Sequence, residues 1–407
     1  MMFVMDYKVL TSEHMKRVIF LVDMNAFYIS CEKTRHPEIE GKPAAVAGDP
    51  VNRAGIILTA NYEARKHGIK TTMILREAFQ LCPDLIIIPP DHSFYEKKSK
   101  EVMQILSSYT PVIEQNSIDE AWLDMTGCEG LFGQPLESAR NIMDRIKDEI
   151  NLWCSIGISE NKFLAKMASE MKKPLGITEL WIKDIQEKLW PLPVNYMYGV
   201  GKQTAKKLNS IGISTIKELA MTNREDIYHK LGKTGIELAL LANGIDNSPV
   251  TVNREDMKSI NRSTTLPHDI TDIEYAKAIL MELSDDIGMT ARKNGKKGHT
   301  VQITIKYSNF NTITRQMAIS PTCNIKDIYT ACVKLLESNW SNEPVRLLGI
   351  SLSGFQNESE QISLFNLVDT NESKSDDKID NLEDAILKIR KKYGTKIIKP
   401  GIPHKNN

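Results

Sequence analysis

Apolar residues along this chain fall into continuous runs and helical stripes, and the two alternate as far as Pro174. Residues 18–22 form an unbroken apolar run, the pattern of a strand buried on both faces. It ends on a carboxylate at Asp23 and turns into a helix by residue 30. A second run at 44–47 meets a Gly48-Asp49-Pro50 turn and continues as a strand-like segment at 55–59. Helical character follows at 61–66, closing near Gly68, and at 93–109, stopped by Pro111. The segment 112–125 reads as two short strands around Ser117-Ile118-Asp119-Glu120. A helix at 136–152, a strand at 154–158 and a helix at 161–172 complete the series. Strands interleaved with helices in this order predict an α/β or α+β core with helices packed against one sheet.

After Pro174 the pattern changes. The stretch 184–244 lacks convincing strands and reads as short helices broken by Gly199, Gly201, Gly212, Gly232 and Gly244. Asn247-Ser248-Pro249 marks a linker. A strand near 260–266, a helix at 272–291, strands at 300–307 and 312–319, a helix at 324–338 and a strand at 345–355 predict a small α+β module. Beyond it the chain is polar, with one helical stretch in which Ile379, Leu382, Ile386, Ile389 and Tyr393 recur at spacings of three and four. That stripe can pack back on the protein or bind a partner.

Length and composition mainly exclude. With 407 residues, two to four domains are expected, and an apolar fraction of 41% is ample for their cores. No apolar run reaches the ~20 residues that a bilayer span requires, so no membrane role is expected. Residues 1–14 carry Asp6, Lys8 and Glu13 and lack the apolar core of a signal peptide; Met15 reads as a natural start, which makes the leader at 1–15 dispensable. Six scattered cysteines without C-x-x-C or metal-ligand spacing fit a reducing cytoplasm. Net charge is zero, but basic residues concentrate at Lys172-Lys173, Lys206-Lys207 and 292–297.

Carboxylates at the ends of apolar strands are costly to bury unless neutralised, usually by a divalent cation. Asp23 and the Asp119-Glu120 pair, brought together, make an oxygen-rich site suited to two magnesium ions, as nucleotidyl transfer needs. A solvated acidic dipeptide is the competing reading of the pair alone. Adjacent strand residues point to opposite faces, so Asp119 and Glu120 share a site only if a turn or bulge intervenes.

Other stretches carry phosphate chemistry. Tyr198-Gly199-Val200-Gly201, a helix, then Ile211-Gly212-Ile213 fit a helix-hairpin-helix. Gly199 and Gly201 let the backbone approach a phosphate, and the amides of the next helix attract it, with Lys202, Lys206 and Lys207 adding charge. A glycine turn between core helices is the alternative. Arg292, Lys293, Lys296 and Lys297 form a basic loop, read either as a phosphate contact or as a solvated turn. Tyr62 and Arg65, three residues apart on one helix face, can grip a triphosphate, with Lys173 as a further cation. Core packing and a surface ion pair are the ordinary roles of such a tyrosine and arginine.

Val22-Asp23-Met24-Asn25-Ala26-Phe27-Tyr28, Thr59-Ala60-Asn61-Tyr62-Glu63-Ala64-Arg65, Ser117-Ile118-Asp119-Glu120-Ala121 and Ser155-Ile156-Gly157-Ile158-Ser159 occur in that order. They are joined by Lys173-Pro174, Gly176 and the Gly-Val-Gly hairpin. Together they resemble a Y-family translesion DNA polymerase over about residues 16–366, most closely its bacterial DinB-type branch, with the UmuC-like branch as the neighbouring alternative. The resemblance implies an α+β multidomain fold, a right-hand polymerase. A ferredoxin-like palm and small fingers would occupy 16–174 (fingers about 34–92), and a helical helix-hairpin-helix thumb 175–245. A linker at 246–257, an α+β little finger at 258–356 and a tail at 357–407 would follow.

The resemblance also implies a chemistry, template-directed addition of dNTPs to a primer 3′ end. Asp23, Asp119 and Glu120 would be catalytic, and with the Met24 backbone carbonyl would hold two Mg2+ ions. One ion would activate the primer 3′-hydroxyl; the other would hold the triphosphate and stabilise the leaving pyrophosphate. Tyr28 takes the place of the steric gate against a ribose 2′-hydroxyl. Phe27, Thr59, Tyr62, Arg65 and Lys173 take nucleotide-binding positions, and Ile56 and Leu58 form the fingers roof. Leu58 is bulkier there than the small residue of many relatives. No second acidic constellation suggests a proofreading nuclease, so low-fidelity synthesis during DNA damage tolerance is expected, by a monomer acting on primer–template DNA.

Gln361-Ile362-Ser363-Leu364-Phe365 resembles the peptide by which bacterial polymerases dock on the sliding clamp. Leu364 and Phe365 would serve as anchors, with Gln361 fixing register and Ser363 between them. Packing as a last strand is the alternative. Tethering would offset weak DNA affinity in a chain of zero net charge. Two other functions compete with polymerisation. A non-catalytic, clamp-docked DNA-binding scaffold has no use for the acidic set, and another two-metal nucleotidyltransferase has none for the hairpin and clamp peptide.

Overall fold

The computed structural model describes residues 17–49, 55–252, 256–341, 343–355, 373–394 and 397–398. The leader at 1–15 and the clamp peptide at 361–365 lie outside the described residues. The chain forms two compact units with their boundary at Arg254 in sequence.

The first unit opens with β1 (Ile19–Met24), α1 (Phe27–Arg35), β2 (Ala44–Ala47), β3 (Ile57–Ala60), α2 (Tyr62–Lys66), α3 (Leu75–Leu81) and β4 (Ile86–Ile88). It continues with α4 (His92–Ser107), β5 (Ile113–Gln115), β6 (Glu120–Asp124), α5 (Glu129–Phe132), α6 (Pro135–Ile150), β7 (Cys154–Ser159), α7 (Lys162–Met171) and β8 (Ile177–Glu179). Its main sheet has the order β5-β6-β1-β7-β8, antiparallel except for the β7–β8 pair. β1 is central and buried throughout, which is why its apolar run shows no alternation. Phe20, Val22 and Met24 face a core shared with Val102 and Leu106 of α4 and Ile142 and Ile146 of α6. Ile19 and Leu21 face the other way, onto Ala165 of α7, Trp122 and Val250. A smaller sheet, β3-β2-β4, packs Ala45, Ala47, Ile57 and Ala60 against Ala64, Leu75 and Ala78.

The helical segment follows as α8 (Ile185–Lys188), α9 (Lys202–Ser210), α10 (Ile216–Met221), α11 (Arg224–Leu231) and α12 (Lys233–Ala242). Its core takes in Leu164, Met167 and Ala168, so α7 packs on the sheet with one face and on these helices with another. The sheet runs past the boundary expected at 174, because β8 pairs with β7; three residues are too short to announce a strand by periodicity. The expected linker likewise starts as a fixed strap. Val250 is buried beside Trp122, the Arg17 guanidinium donates to the Ser248 carbonyl (3.2 Å), and the Thr251 N–H donates to Glu114 (2.8 Å).

The second unit comprises β9 (Ser259–Ile270), α13 (Ile273–Lys293), β10 (Gly298–Tyr307), β11 (Thr312–Thr322), α14 (Ile325–Asn339) and β12 (Val345–Phe355). Its antiparallel sheet runs β11-β10-β12-β9, with Leu280, Ile287, Ile328 and Leu336 of the two helices packed on Val301, Ile303 and Ile350. A last helix, α15 (Ser373–Tyr393), docks on this unit through charged side chains. Glu383 accepts from the Ile325 N–H (3.0 Å) and pairs with Arg292 (2.7 Å), and Arg390 pairs with Asp285 (2.8 Å). Leu382, Ile389 and Tyr393 stay exposed. Among the described residues no helix is long and apolar enough to cross a membrane, and all six cysteines are free.

Candidate active site

Asp23 and Glu120 are cross-strand partners in the β1–β6 register, so their side chains fall on one face of the sheet. Asp119 escapes the strand alternation because it is not on a strand. It closes the turn between β5 and β6, where the Asn116 and Ser117 N–H groups donate to the Glu120 carbonyl (3.0 and 3.3 Å). The Asp119 carbonyl accepts from the Met24 N–H (2.9 Å), and its carboxylate from the Ser117 hydroxyl (2.5 Å). Asp23, Met24, Asp119 and Glu120 line one cleft of about 450 Å³ together with Phe27, Leu58, Thr59, Tyr62, Arg65 and Lys173. Tyr28 and Ile56 are not among its lining residues, although Ile56 lies next to the strand that carries Leu58 and Thr59.

Sequence reasoning passed over Lys166, which is central to the charge balance of this cleft. Its ammonium donates to Asp23 (2.9 Å), Glu120 (2.6 Å) and Glu170 (3.1 Å). Lys173 takes the other Asp23 oxygen (2.8 Å) and also reaches Glu170 (2.8 Å). Burial pushes the Asp23 carboxyl up, but Lys166 and Lys173 outweigh it and hold the group below the ordinary range. Burial pushes the Lys166 ammonium down, and Asp23 with the Glu120 hydrogen bond reverses that to hold it above its ordinary range. The missed signal was present in the sequence, since residues 163–169 of α7 are otherwise uncharged and all are buried.

Local packing brings these lysines in. Gly157, opposite Leu21 in the β1–β7 register, lets α7 lie against the sheet. A Cβ there would sit 2.0 Å from the Ala165 carbonyl oxygen. Asn161 caps α7 through the Leu164 N–H (2.9 Å), and Asp246 accepts from the Phe163 N–H (3.0 Å). Asn25 donates to Ser155 (2.9 Å) and accepts from the Leu175 N–H (2.9 Å), tying the segment after Lys173 to the end of β1.

The Arg65 guanidinium lies over the Tyr62 ring at 4.9 Å and donates to the Ala60 carbonyl (2.9 Å), leaving it exposed beside Lys173 and the carboxylates. Phe27 is mainly a core residue, at 3% exposure. Tyr28 is half-buried and stacks on Tyr95. Burial, then the charge of Asp119, pushes its phenol above the ordinary range.

Gly199 and Gly212 adopt positive φ (+88° and +84°), as the hairpin turns require, and Gly201 is the N-cap of α9 with no side-chain cap. The first α9 residues and Lys202, Lys206 and Lys207 are exposed. In the basic loop Lys293 and Lys297 are exposed and Lys296 lies 3.4 Å from Asp256. Arg292 departs from expectation. Only 10% of its side chain is exposed, and Glu383 and Asp384 of the tail helix engage it, so it is not offered to a phosphate. The face of the second sheet turned away from α13 and α14 presents Thr300, Gln302, Thr304, Gln316, Ser351 and Asn261 in register, and Lys306 follows Thr304 on the same face.

Three carboxylates and a backbone carbonyl form a donor set of hard oxygens, which fits magnesium and offers nothing to softer metals. Among the described residues no three acidic, histidine or cysteine side chains converge as a ready metal cluster; ammonium groups bridge the carboxylates instead.

Profiles of the impB/mucB/samB family match residues 22–170, its C-terminal domain residues 257–364, and the family's HHH motif residues 183–213. The chain is 67% identical to a DNA polymerase IV of Clostridium kluyveri over 95% of its length and 98% of the relative's. It is 55% identical to a DNA polymerase IV of Alkaliphilus oremlandii, covering 94% and 97%. A solved Y-family DNA polymerase chimera superposes with a TM-score of 0.74 at 28% identity, over 83% of this chain and 99% of the chimera.

Proposed function

The chain belongs to the impB/mucB/samB family, the Y-family DNA polymerases, and from that premise we propose that it extends primers at the Asp23–Asp119–Glu120 cleft. It is a DNA-directed DNA polymerase of the translesion, DNA polymerase IV type. Site, metals and recruitment are the finer reading. The observation that carries it is that Asp23, Asp119 and Glu120 line one cleft with Tyr62, Arg65 and Lys173.

The main sheet serves as palm, the β3-β2-β4 layer as fingers, the α8–α12 helices as thumb and the second unit as little finger. Asp23, Asp119, Glu120 and the Met24 carbonyl would hold two magnesium ions, which would supply Lewis-acid activation of the primer hydroxyl and stabilise charge on the leaving pyrophosphate. Arg65, fixed by the Ala60 carbonyl, offers its remaining donors to the triphosphate, and Lys173 leaves Asp23 to join it. Thr59 adds a hydroxyl from the fingers, and Leu58 with Ile56 roofs the nascent pair. Phe27 supports the cleft wall, and Tyr28 is the gate against a 2′-hydroxyl.

DNA is held by its backbone. The uncapped α9 amides behind Gly199 and Gly201, with Lys202, attract phosphate. Lys293, Lys296, Lys297 and the polar outer face of the second sheet, with Lys306, add contacts that position without reading sequence. Gln361, Ser363, Leu364 and Phe365 dock on the sliding clamp, raising the local concentration of a monomeric enzyme at primer ends. In this reading synthesis is of low fidelity.

Primer extension on intact and adducted templates, with and without loaded clamp, tests these features together. Wild type should copy past the adduct, leave mismatched primer ends uncut and gain processivity from the clamp. Joint replacement of Leu364 and Phe365 by alanine should remove only the clamp effect. Excision of mismatched ends, or clamp stimulation that survives the double variant, would contradict it.

A further inference from the structure

Lys166 stands in the middle of α7 among residues that are all buried, where an unmatched ammonium is very costly. Three acids match it. It bridges Asp23 Oδ2 (2.9 Å) and Glu120 Oε2 (2.6 Å) across two neighbouring strands and reaches Glu170 Oε1 (3.1 Å) one turn along its own helix. Asp23 and Glu120 are direct cross-strand partners, and like charges so placed repel. One ammonium between them offsets that repulsion. The carboxylates it engages, Asp23 and Glu120, are two of those proposed to hold a divalent cation.

We propose that Lys166 is a tethered counter-ion of the carboxylate site, holding Asp23 and Glu120 together before divalent cations enter and yielding Asp23 when they do, so that it sets the affinity of the site for metal. The proposal rests on the assignment of Asp23 and Glu120 as metal ligands. Glu170 makes the exchange feasible. An ammonium displaced from Asp23 keeps a carboxylate partner four residues away on the same helix, so its charge is never left buried and unmatched. Lys173 is placed for the same exchange, sharing Asp23 with Lys166 and Glu170 with it as well. By linkage, a charge that metal must displace weakens metal binding by as much as metal weakens that charge's hold. A lysine-free site therefore binds metal more tightly and is less stable without it.

The test is manganese(II) binding to the full chain without DNA or nucleotide, followed by paramagnetic resonance of the free ion, with thermal unfolding in chelator and in manganese. Lys166→Met and Lys166→Gln remove the charge at similar size, and Asp23→Asn serves as the reference. Both lysine variants should bind manganese at least about tenfold more tightly than wild type, given the strength of a unit charge at this range. They should melt lower in chelator and gain more from manganese than wild type gains. A lysine variant that folds only with manganese is the same result in stronger form. If Asp23→Asn weakens manganese binding while the folded lysine variants bind no more tightly, the counter-ion role is overturned and the ligand assignment stands. If Asp23→Asn leaves manganese binding unchanged, the ligand assignment falls and the proposal with it. Variants unfolded with and without manganese would also overturn it, leaving Lys166 a purely structural residue.

Discussion

Tyr28 lies stacked on Tyr95, ring centroids 4.4 Å apart and planes 14° from parallel. The Tyr95 hydroxyl donates to the buried Glu32 carboxylate at 2.6 Å, and Arg35 grips the same carboxylate at 2.8 Å. A side chain proposed to meet the sugar of an incoming nucleotide is thus backed by a ring whose hydroxyl is anchored on a buried carboxylate. Tyr28→Ala should raise incorporation of ribonucleotides relative to dNTPs, measured as the ratio of the two kcat/KM values. Tyr95→Phe keeps the ring and should keep that ratio, while losing about 2 kcal/mol of stability as Glu32 gives up a buried donor. Unchanged sugar discrimination in Tyr28→Ala would reject the gate.

Gly157 allows α7 to approach the sheet, and with it Lys166 and the whole charge balance of the cleft. Gly157→Ala would drive a methyl into the Ala165 carbonyl and the Ser169 N–H, both backbone atoms. A cost of about 3 kcal/mol is expected from overpacking of this kind, read as a lower denaturation midpoint. An alanine variant of wild-type stability would show that α7 moves freely.

Arg292 and Glu383 form a nearly buried pair, 10% and 7% exposed in their side chains. Arg292→Ala should therefore cost about 3 kcal/mol, because it leaves a buried carboxylate without its cation. It should leave the salt dependence of DNA binding unchanged. Joint neutralisation of Lys293 and Lys297 should do the reverse, flattening the slope of log affinity against log salt while sparing stability. The opposite pattern would return Arg292 to the DNA interface.

Glu218 caps α10 by accepting from the Ser214 and Thr215 N–H groups (2.7 and 2.9 Å), which hold its carboxyl at about 2 against an ordinary 4.5. A folded-state value below the unfolded one gives stability that is full above the unfolded value and is lost as pH falls through the folded one. The melting temperature gap between wild type and Glu218→Gln should be open at about pH 6 and close between about 4.5 and about 2. A gap independent of pH would contradict the capping role.

How far the fold was legible follows from how each element buries itself. β1 is covered on both faces and writes an apolar run over residues 19–22 that is easy to find, whereas β7, buried as fully, alternates Ile156 and Ile158 with Ser155, Gly157 and Ser159. β8 has three residues and takes its identity from pairing with β7. Asp119 and Glu120 were visible as a pair, but only the turn before β6 settles how adjacent residues can share a cleft. Lys166 was readable as a lone charge in an otherwise uncharged stretch, though its partners come from two strands and a helix turn. Arg292 misled because its partner lies 91 residues away on a helix that docks by its charged side. Amphipathic spacing in α15 left its contact face open, and Glu383 and Arg390 are buried where Leu382 and Tyr393 are not.

The central claim is that Asp119, held in the turn beside Asp23 and Glu120, is part of the centre that joins a dNTP to a primer. Single-turnover incorporation of one correct dNTP by Asp119→Asn, with primer–template affinity measured in parallel, tests it most directly. The expected result is a loss of about 10³-fold or more in rate with DNA affinity retained, the scale of removing one group that acts on transition-state charge. A folded Asp119→Asn protein that incorporates nucleotide at the wild-type rate would contradict it.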